Sequence, residues 1–409
     1  MKNSVFSLSM FFIVAFPGIL HCDDEVELIK SFLSTPYEVE LIKTGKKAVT
    51  AKSKHDPYMK NPSFSMSIEK PFDDSSYAFK FAEFGFEFDV SGKYILGKEV
   101  AGFKKLRAGE QIKASLVESV ANFRALLAKF FYLNRKKEII KVFELKIETL
   151  SKELSILVEG KNSSKFDLMR IESQVLSHKR KSLEIESELA AVRSQIQSFC
   201  GIEIDELSLQ EPELIEFEEL KRRAFLENPQ IKQIHFNLSE SEKEMAVEKR
   251  KTIPDPGLQI GFIHEKMQGV SLGFGIDIGI SFDLPFFDFN RKGVAESVYE
   301  NQQKKMDLFE KKFFVDLQIS ELYKKADHLI KGFIPDQNKD DILEKSFFLY
   351  KAGEISVSDL ISTLYEVEEI HFSEIEIKEK IHFLTLQLYA AAGFFENEKI
   401  NDLIGGAVK

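Results

Sequence analysis

From Val270 to Leu284 every even-numbered position is apolar (Val270, Leu272, Phe274, Ile276, Ile278, Ile280, Phe282, Leu284), and every odd one is Ser, Gly or Asp. A strict period of two puts one chemistry on each face of a strand. The alternation ends at Pro285, and a charged, helix-forming sequence follows. Three other stretches, about 62–70, 77–90 and 257–265, read the same way. Phe64, Met66 and Ile68 share one face and Ser63, Ser65, Ser67 and Glu69 the other; Phe84, Phe86, Phe88 and Val90 alternate with Gly85, Glu87 and Asp89. Upstream, Tyr77, Phe79 and Phe81 fall on odd positions, so the phase slips near Ala82-Glu83, as a β-bulge would make it.

Between these strands the period changes to that of helices. Residues 93–158 contain no proline, and Leu106, Ile112, Leu116, Val120, Phe123, Leu127 and Phe130 recur at threes and fours among Lys and Glu. A helix of that span is roughly 100 Å long, with a coiled-coil-like stripe. A return helix is predicted over 166–199, a second long helix over 290–350 that Pro335 should kink or interrupt, and a second return helix over 357–395.

The chain repeats itself at an offset of about 192 to 198 residues. Phe88-Asp89-Val90-Ser91-Gly92-Lys93 resembles Phe287-Asp288-Phe289-Asn290-Arg291-Lys292, and each long helix ends in a small-residue break followed by an aspartate, Asp167 or Asp359. The division is therefore a first repeat at 23–200, an acidic linker at 201–227, a second repeat at 228–397 and a tail at 398–409. Each repeat reads helix, β-hairpin, very long helix, returning helix.

Composition narrows the setting. The 409 residues carry 56 basic against 66 acidic side chains, which disfavours a nucleic-acid partner. Cys22 and Cys200 form neither a disulfide framework nor a zinc pattern. Lys2, the apolar run Val5–Phe16 and the Pro17-Gly18 break read as an export signal over 1–22, with an N-terminal anchor as the other reading. Cys22 is a candidate lipidation site, although His21 stands where a small residue is expected. His235 and His264 have no partner at metal-ligand spacing, and a surface role is expected for both. No catalytic constellation, cofactor motif or metal-ligand set emerges, so an enzyme is not expected.

Apolar outward and polar inward is the signature of a transmembrane β-barrel wall. Sheet edges cannot face lipid, and the smallest such barrels have about eight strands, so four strands must share a barrel with other chains. On this reading Val270–Leu284 is one stave, and Leu284-Pro285-Phe286-Phe287 is its rim at the headgroup level. Asp288 or Asn290 would cap the helix that follows. A soluble sheet, an exported coiled-coil structural or adhesin protein and a periplasmic binding protein are the competing readings.

These residues resemble the TolC-type outer-membrane efflux proteins, the outer-membrane component of tripartite pumps. The carrying words are Asn228-Pro229-Gln230-Ile231, Pro254-Asp255-Pro256-Gly257-Leu258, the segment from Ser281 to Gly293, and Tyr350-Lys351-Ala352-Gly353-Glu354-Ile355-Ser356 with Asp359-Leu360. The match covers about residues 25–397, and Phe88–Lys93 is similar to a segment of the heavy-metal (CzcC and CusC-like) branch.

The resemblance implies an α+β membrane protein: a homotrimer with a shared 12-stranded barrel in outer-membrane lipid and a helical barrel across the periplasm. It implies a periplasmic adaptor and an inner-membrane pump of resistance-nodulation-division type as partners. The role implied is a passive exit duct for efflux substrates, metal cations among them, with a type I secretion duct as the alternative. By motif position, an aspartate ring at the periplasmic gate falls on Asp359, and a helix-to-helix tie on Asp167 and Tyr350. The family's second ring aspartate is Ser362 and its basic gate residue is Ile355 in this chain. Helix capping alone is the other reading of Asp167 and Asp359.

Overall fold

The computed structural model describes residues 24–54, 62–69, 77–160, 164–267, 270–282 and 289–408. The export signal, Cys22 and the rim segment Leu284 to Asp288 lie outside the described residues.

Each repeat is built as helix, hairpin, long helix and return. The first comprises α1 (Glu25–Leu33), α2 (Pro36–Lys54), β1 (Ser63–Glu69), β2 (Tyr77–Glu87), α3 (Lys93–Glu159) and α4 (Lys165–Cys200). After α5 (Phe217–Glu227) the second runs α6 (Pro229–Arg250), β3 (Pro256–Met267), β4 (Val270–Phe282), α7 (Arg291–Gly332), α8 (Lys339–Lys351) and α9 (Val357–Ala392), followed by α10 (Glu398–Val408).

The four strands form one antiparallel sheet in the order β1-β2-β3-β4, so the two hairpins, far apart in sequence, meet at β2 and β3. A bulge skips Phe81: Lys80 pairs with Ile263 and Ala82 with Phe262. That extra residue is the phase slip expected near Ala82, one position earlier. Strand β2 stops at Glu87, short of the expected 90, because Asp89 turns to the helix. Its carboxylate accepts from the backbone N–H of Lys93 and Tyr94 and from the Ser91 hydroxyl, and these bonds overcome slight burial to hold its pKa below the usual value.

The two strand-to-helix elbows match in backbone. Gly92 and Asn290, each one residue before its helix, both adopt left-handed φ, 74° and 52°. Asn290 does not cap its own helix by side chain; its amide donates instead to the Glu248 carbonyl and carboxylate of α6. Opposite it, the Arg250 guanidinium donates to the Ser91 and Gly92 carbonyls, and Lys93 pairs with Asp255 at 2.6 Å. Both elbows are thus pinned to the upward helix α6.

The second long helix is two helices, not one over 290–350. Helix α7 ends at Gly332, and Ile334-Pro335 occupies the gap before α8, since proline lacks the N–H and crowds the preceding turn. Glu374 of α9 spans the break, accepting from the Asp336 N–H and from the Lys339 ammonium.

Near the sheet, α3 lies between α2 and α6, and α6 leans on α7; toward the far tip, α3 lies between α4 and α9, and α9 leans on α7 and α8. Helix α6 continues the line of α9. The Asn228 amide donates to the Ala391 carbonyl at 2.9 Å, and its side-chain oxygen accepts from the N–H of Gln230 and Ile231. Gly393, at φ 84°, has no room for a side chain there, since a Cβ would stand 2.8 Å from the Asn228 Cα. The Asn228-Pro229 word is the seam at which one strut is handed to the next.

The main core lies midway along the helices. Leu116, Val120, Phe123, Leu127 and Phe130 of α3 pack against α1, α10, α5 and the segment carrying Ile204 and Leu207. The expected linker and tail are therefore parts of this belt, because Ile204, Leu207, Leu220 and Ala224 of the one and Ile400 and Ile404 of the other are buried in it. Arg124, 2% exposed, joins the belt's ends: its Nε donates to Glu25 at 2.6 Å and its Nη2 to Glu396 at 2.5 Å. Burial alone would depress the guanidinium, but Glu396 and Glu25 hold it above its usual range.

Candidate functional site

Three surfaces can do work: the two-faced sheet, a recess in the helical wall, and the tip where the helices turn back.

The register aligns the sheet's chemistry in rows. Phe64, Phe84, Ile260 and Ile278 face one another across all four strands, and Ala82, Phe262 and Ile276 form the row beside them. On the other face the rows are Ser65, Glu83, Gly261, Asp277 and Ser63, Gly85, Gln259, Gly279. Among the described residues nothing covers the apolar face at β4: Ile276, Ile278 and Ile280 are 66–71% exposed. Burying such side chains is worth ~1.5–3 kcal/mol each, so an uncovered run of them calls for an apolar surrounding. Glycine serves the polar face by leaving space; a Cβ on Gly85 would meet the Ser63 hydroxyl at 2.4 Å. His264, at the far end of this sheet, donates from Nδ1 to the Gly273 carbonyl and stacks on Phe274 at 4.8 Å. His235 is exposed on α6.

The edges of the chain are also unfinished. Strands β1 and β4 are the sheet's two edges. Helix α4 presents Met169, Leu176 and Leu183 at seven-residue spacing, all exposed, away from its packed line of Ile171, His178 and Leu189. Helix α7, at the opposite side, presents Tyr299, Met306, Phe309, Phe313 and Leu317, away from its packed Val315 and Ile319.

The recess, about 640 Å³, is lined by α3, α7, α9 and the α6–α9 seam. Ala114, Glu118, Ala121, Asn122 and Ala125 of α3 contribute to it, roughly opposite on that helix to the face bound by the belt. Gln230, Gln318, Gln387, Glu118 and Glu321 give it polar walls, and neither lysine nor arginine lines it.

At the tip, each return helix opens with the same S-x-x-D word, Ser164 to Asp167 and Ser356 to Asp359. Gly353, at φ 78°, ends α8 in a left-handed turn, and the Glu354 N–H reaches back to the Leu349 carbonyl. A full capping box follows. The Ser356 hydroxyl accepts from the Asp359 N–H, and the Asp359 carboxylate accepts from the Ser356 N–H at 3.1 Å. These bonds, the Ser356 hydroxyl first, lower the pKa of Asp359, so this exposed carboxylate stays charged at neutral pH. In the first repeat Ser164 caps Phe166, and Asp167 sits in the first turn. Tyr350 is half-buried against the lower core; burial, then the charges of Glu153 and Asp167, raises its phenol pKa. Tyr350 and Asp167 thus lie within electrostatic reach of one another. Sequence reading missed a further tie between the repeats, from the Arg170 guanidinium to the Ser358 hydroxyl at 2.8 Å.

No protein-family model matches the chain, and no curated protein matches it. Solved structures do. CusC, whose conformational changes accompany folding and transmembrane channel formation, superimposes with a TM-score of 0.72 at 14% identity, over 91% of this chain and 93% of its own. The outer-membrane protein VceC of Vibrio cholerae gives 0.69 at 12% identity, over 91% and 97%. The outer-membrane channel CmeC of Campylobacter jejuni gives 0.66 at 14%, over 95% and 90%. The likeness is one of fold along nearly the whole chain, and the three values are too close to single out the heavy-metal branch.

Proposed function

We propose that the chain is one third of an outer-membrane efflux duct: a passive conduit, not an enzyme, that carries substrates delivered by an inner-membrane pump through a periplasmic adaptor. The observation that carries this reading is the four-stranded sheet, with one face of uncovered Ile and Phe and the other of Ser, Gly and carboxylates. Lipid suits the first face and a water-filled lumen the second.

Assembly follows from the edges. A sheet ending in β1 on one side and β4 on the other can close only head-to-tail with further copies, which makes a ring when the rotation closes. The stripes on α4 and α7 lie on the corresponding opposite sides, so the same contact would bury both. Three copies give twelve strands. In such a ring the belt of short helices stands outside, and the recess with Glu118 faces the lumen. Solubilised protein is expected to run as a detergent-dependent trimer by light scattering, with migration on gels that shifts on heating. A stable monomer in plain buffer would overturn the reading.

At the tip the same symmetry brings three Asp359 carboxylates around the axis, while Asp167 and Tyr350 tie neighbouring helices. Three like charges around a narrow pore attract cations and hold multivalent ones. Metal cations and organic cations are the cargo classes this favours. Asp359→Asn keeps an oxygen for the capping box and removes the charge. In single-channel recordings on planar bilayers it should relieve block by a trivalent cation and lower cation selectivity. Unchanged block and selectivity would leave Asp359 a helix cap alone.

A further inference from the structure

Some 11 residues beyond Asp167 on α4, and nine beyond Asp359 on α9, the two return helices meet in a polar cluster with a buried centre and an exposed rim. His178 and Glu368 are 2% and 1% exposed by side chain, with Nε2 and Oε2 3.3 Å apart. The Lys181 ammonium reaches Glu368 at 3.4 Å and Glu369 at 3.6 Å. The Tyr365 ring lies over His178 at 6.2 Å, and its hydroxyl bonds the Ser177 side chain. Around them stand Ile147, Leu150, Ile171, Ile361 and Leu364, which enclose a cavity of about 10 Å³. Three buried polar atoms of this cluster, His178 Nδ1, Gln174 Oε1 and Glu368 Oε2, have no hydrogen-bond partner among the described residues.

We propose that His178, Gln174, Tyr365 and Glu368 form a proton-binding clasp that holds α4 to α9 and releases them as it takes up a proton. With its proton on Nε2, facing Glu368, His178 leaves Nδ1 as an acceptor. A single water, which needs roughly 10–15 Å³, can donate one hydrogen to Nδ1 and one to Gln174 Oε1, and satisfies both. A neutral imidazole is then satisfied at Nδ1, and its Nε2 faces Glu368 Oε2 at 3.3 Å without the geometry of a hydrogen bond. An imidazolium would put a buried cation beside the partly exposed Lys181 ammonium.

The sign follows from the groups facing the pair. From α4 this is Lys181, while the adjacent Lys179 points outward and is engaged by Glu148 of α3 at 3.3 Å. From α9 they are Tyr365, Glu368 and Glu369, while α3 itself faces the pair with Ile147 and Leu150. Burial and then Lys181 lower the histidine pKa; burial raises that of Glu368, with Lys181 opposing. Separating the helices returns His178 to its ordinary value of about 6.5. Opening therefore takes up a proton, and is favoured as pH falls below that value. The dependence ends at the lower pH where Glu368 takes a proton in the closed form, since both forms then hold one. Two other histidines on α9 differ. His382, in the belt, is pushed down to about 4 by burial and Arg124, and His371 pairs with Asp340 of α8 at 3.2 Å, outside the α4–α9 contact.

The test places spin labels at the exposed positions Arg180→Cys and Glu366→Cys in full-length, detergent-solubilised protein with Cys22→Ala and Cys200→Ala, dilutes the labelled chains with unlabelled cysteine-free ones so that only pairs within one chain are read, and measures their separation by electron–electron resonance. At pH 7.5 one short distance is expected. On acidification toward pH 5.5 a longer one should grow by up to about tenfold per pH unit, the limit for one linked proton. His178→Leu should stay short at both pH values, with His178→Gln replacing it should leucine not be accommodated; His371→Gln should respond as the parent does. A single distance throughout in the parent, or a response that survives loss of His178, overturns the clasp. The readout is a distance within one chain, so its failure leaves the duct reading untouched, and a failed duct reading leaves the distance unaffected.

Discussion

Ile278→Arg is expected to abolish assembly of the membrane wall. Ile278 stands in a four-residue apolar row with Phe64, Phe84 and Ile260, and is 68% exposed on the uncovered face. A guanidinium on the lipid face of a barrel costs ~2–4 kcal/mol near the midplane, and a three-chain barrel bears it three times. Asp277→Asn, one position away on the opposite face, should assemble as the parent does. Asp277→Arg, which places the same guanidinium on the polar face, should also assemble, so comparing its oligomer band with that of Ile278→Arg before and after heating isolates the face. Equal tolerance of both would assign the sheet to an aqueous setting and end the duct reading with it.

The largest effect in the helical part is expected at Arg124. Its guanidinium is buried with two carboxylates, from Glu25 of α1 and Glu396 just before α10, and lies 5.2 Å from the centre of the Phe395 ring. Removing one partner of a buried ion group strands the others, typically at ~3–5 kcal/mol. Arg124→Ala should lower the unfolding free energy, read from the denaturant transition of the helical signal, by that amount. Arg124→Lys should recover only part of it, because an ammonium cannot satisfy both carboxylates in a planar fork. A loss near ~1 kcal/mol or below would mean that water already reaches the site.

Much of this architecture is legible from periodicity. Fifteen residues of faultless alternation leave little choice for β4, and the bulge near Ala82 was visible because odd apolar positions turned into even ones. The belt was less legible. Residues 201–227 read as a linker because their apolar residues follow no period; Ile204 and Leu207 are buried as single side chains, and only the short α5 buries a helix face, with Leu220 and Ala224. The Arg124 triad joins residues 99 and 272 positions apart, and no local pattern encodes such a pairing. The clasp did leave a signal. His178 falls seven residues after Ile171, and Glu368 seven after Ile361, so each polar side chain occupies a position that the helical stripe reserves for an apolar one. At the tip, position alone suggested Asp359, Asp167 and Tyr350. What the fold adds there is the capping box and the proximity of the last two.

The Arg124 triad also sets an order of events for a chain made from its N-terminus. Helices α1 and α3 and the carboxylate of Glu25 are available early, but the second carboxylate arrives only with Glu396, after both repeats have been synthesised. Until then the guanidinium has half its partners and the belt lacks α10. Contacts of such sequence separation form slowly, because the intervening loop must be closed first. Closure of the belt is thus a late checkpoint on completeness: a chain cut short before Glu396 leaves Arg124 with Glu25 alone, lacks α10 at its waist and stays open to proteolysis there.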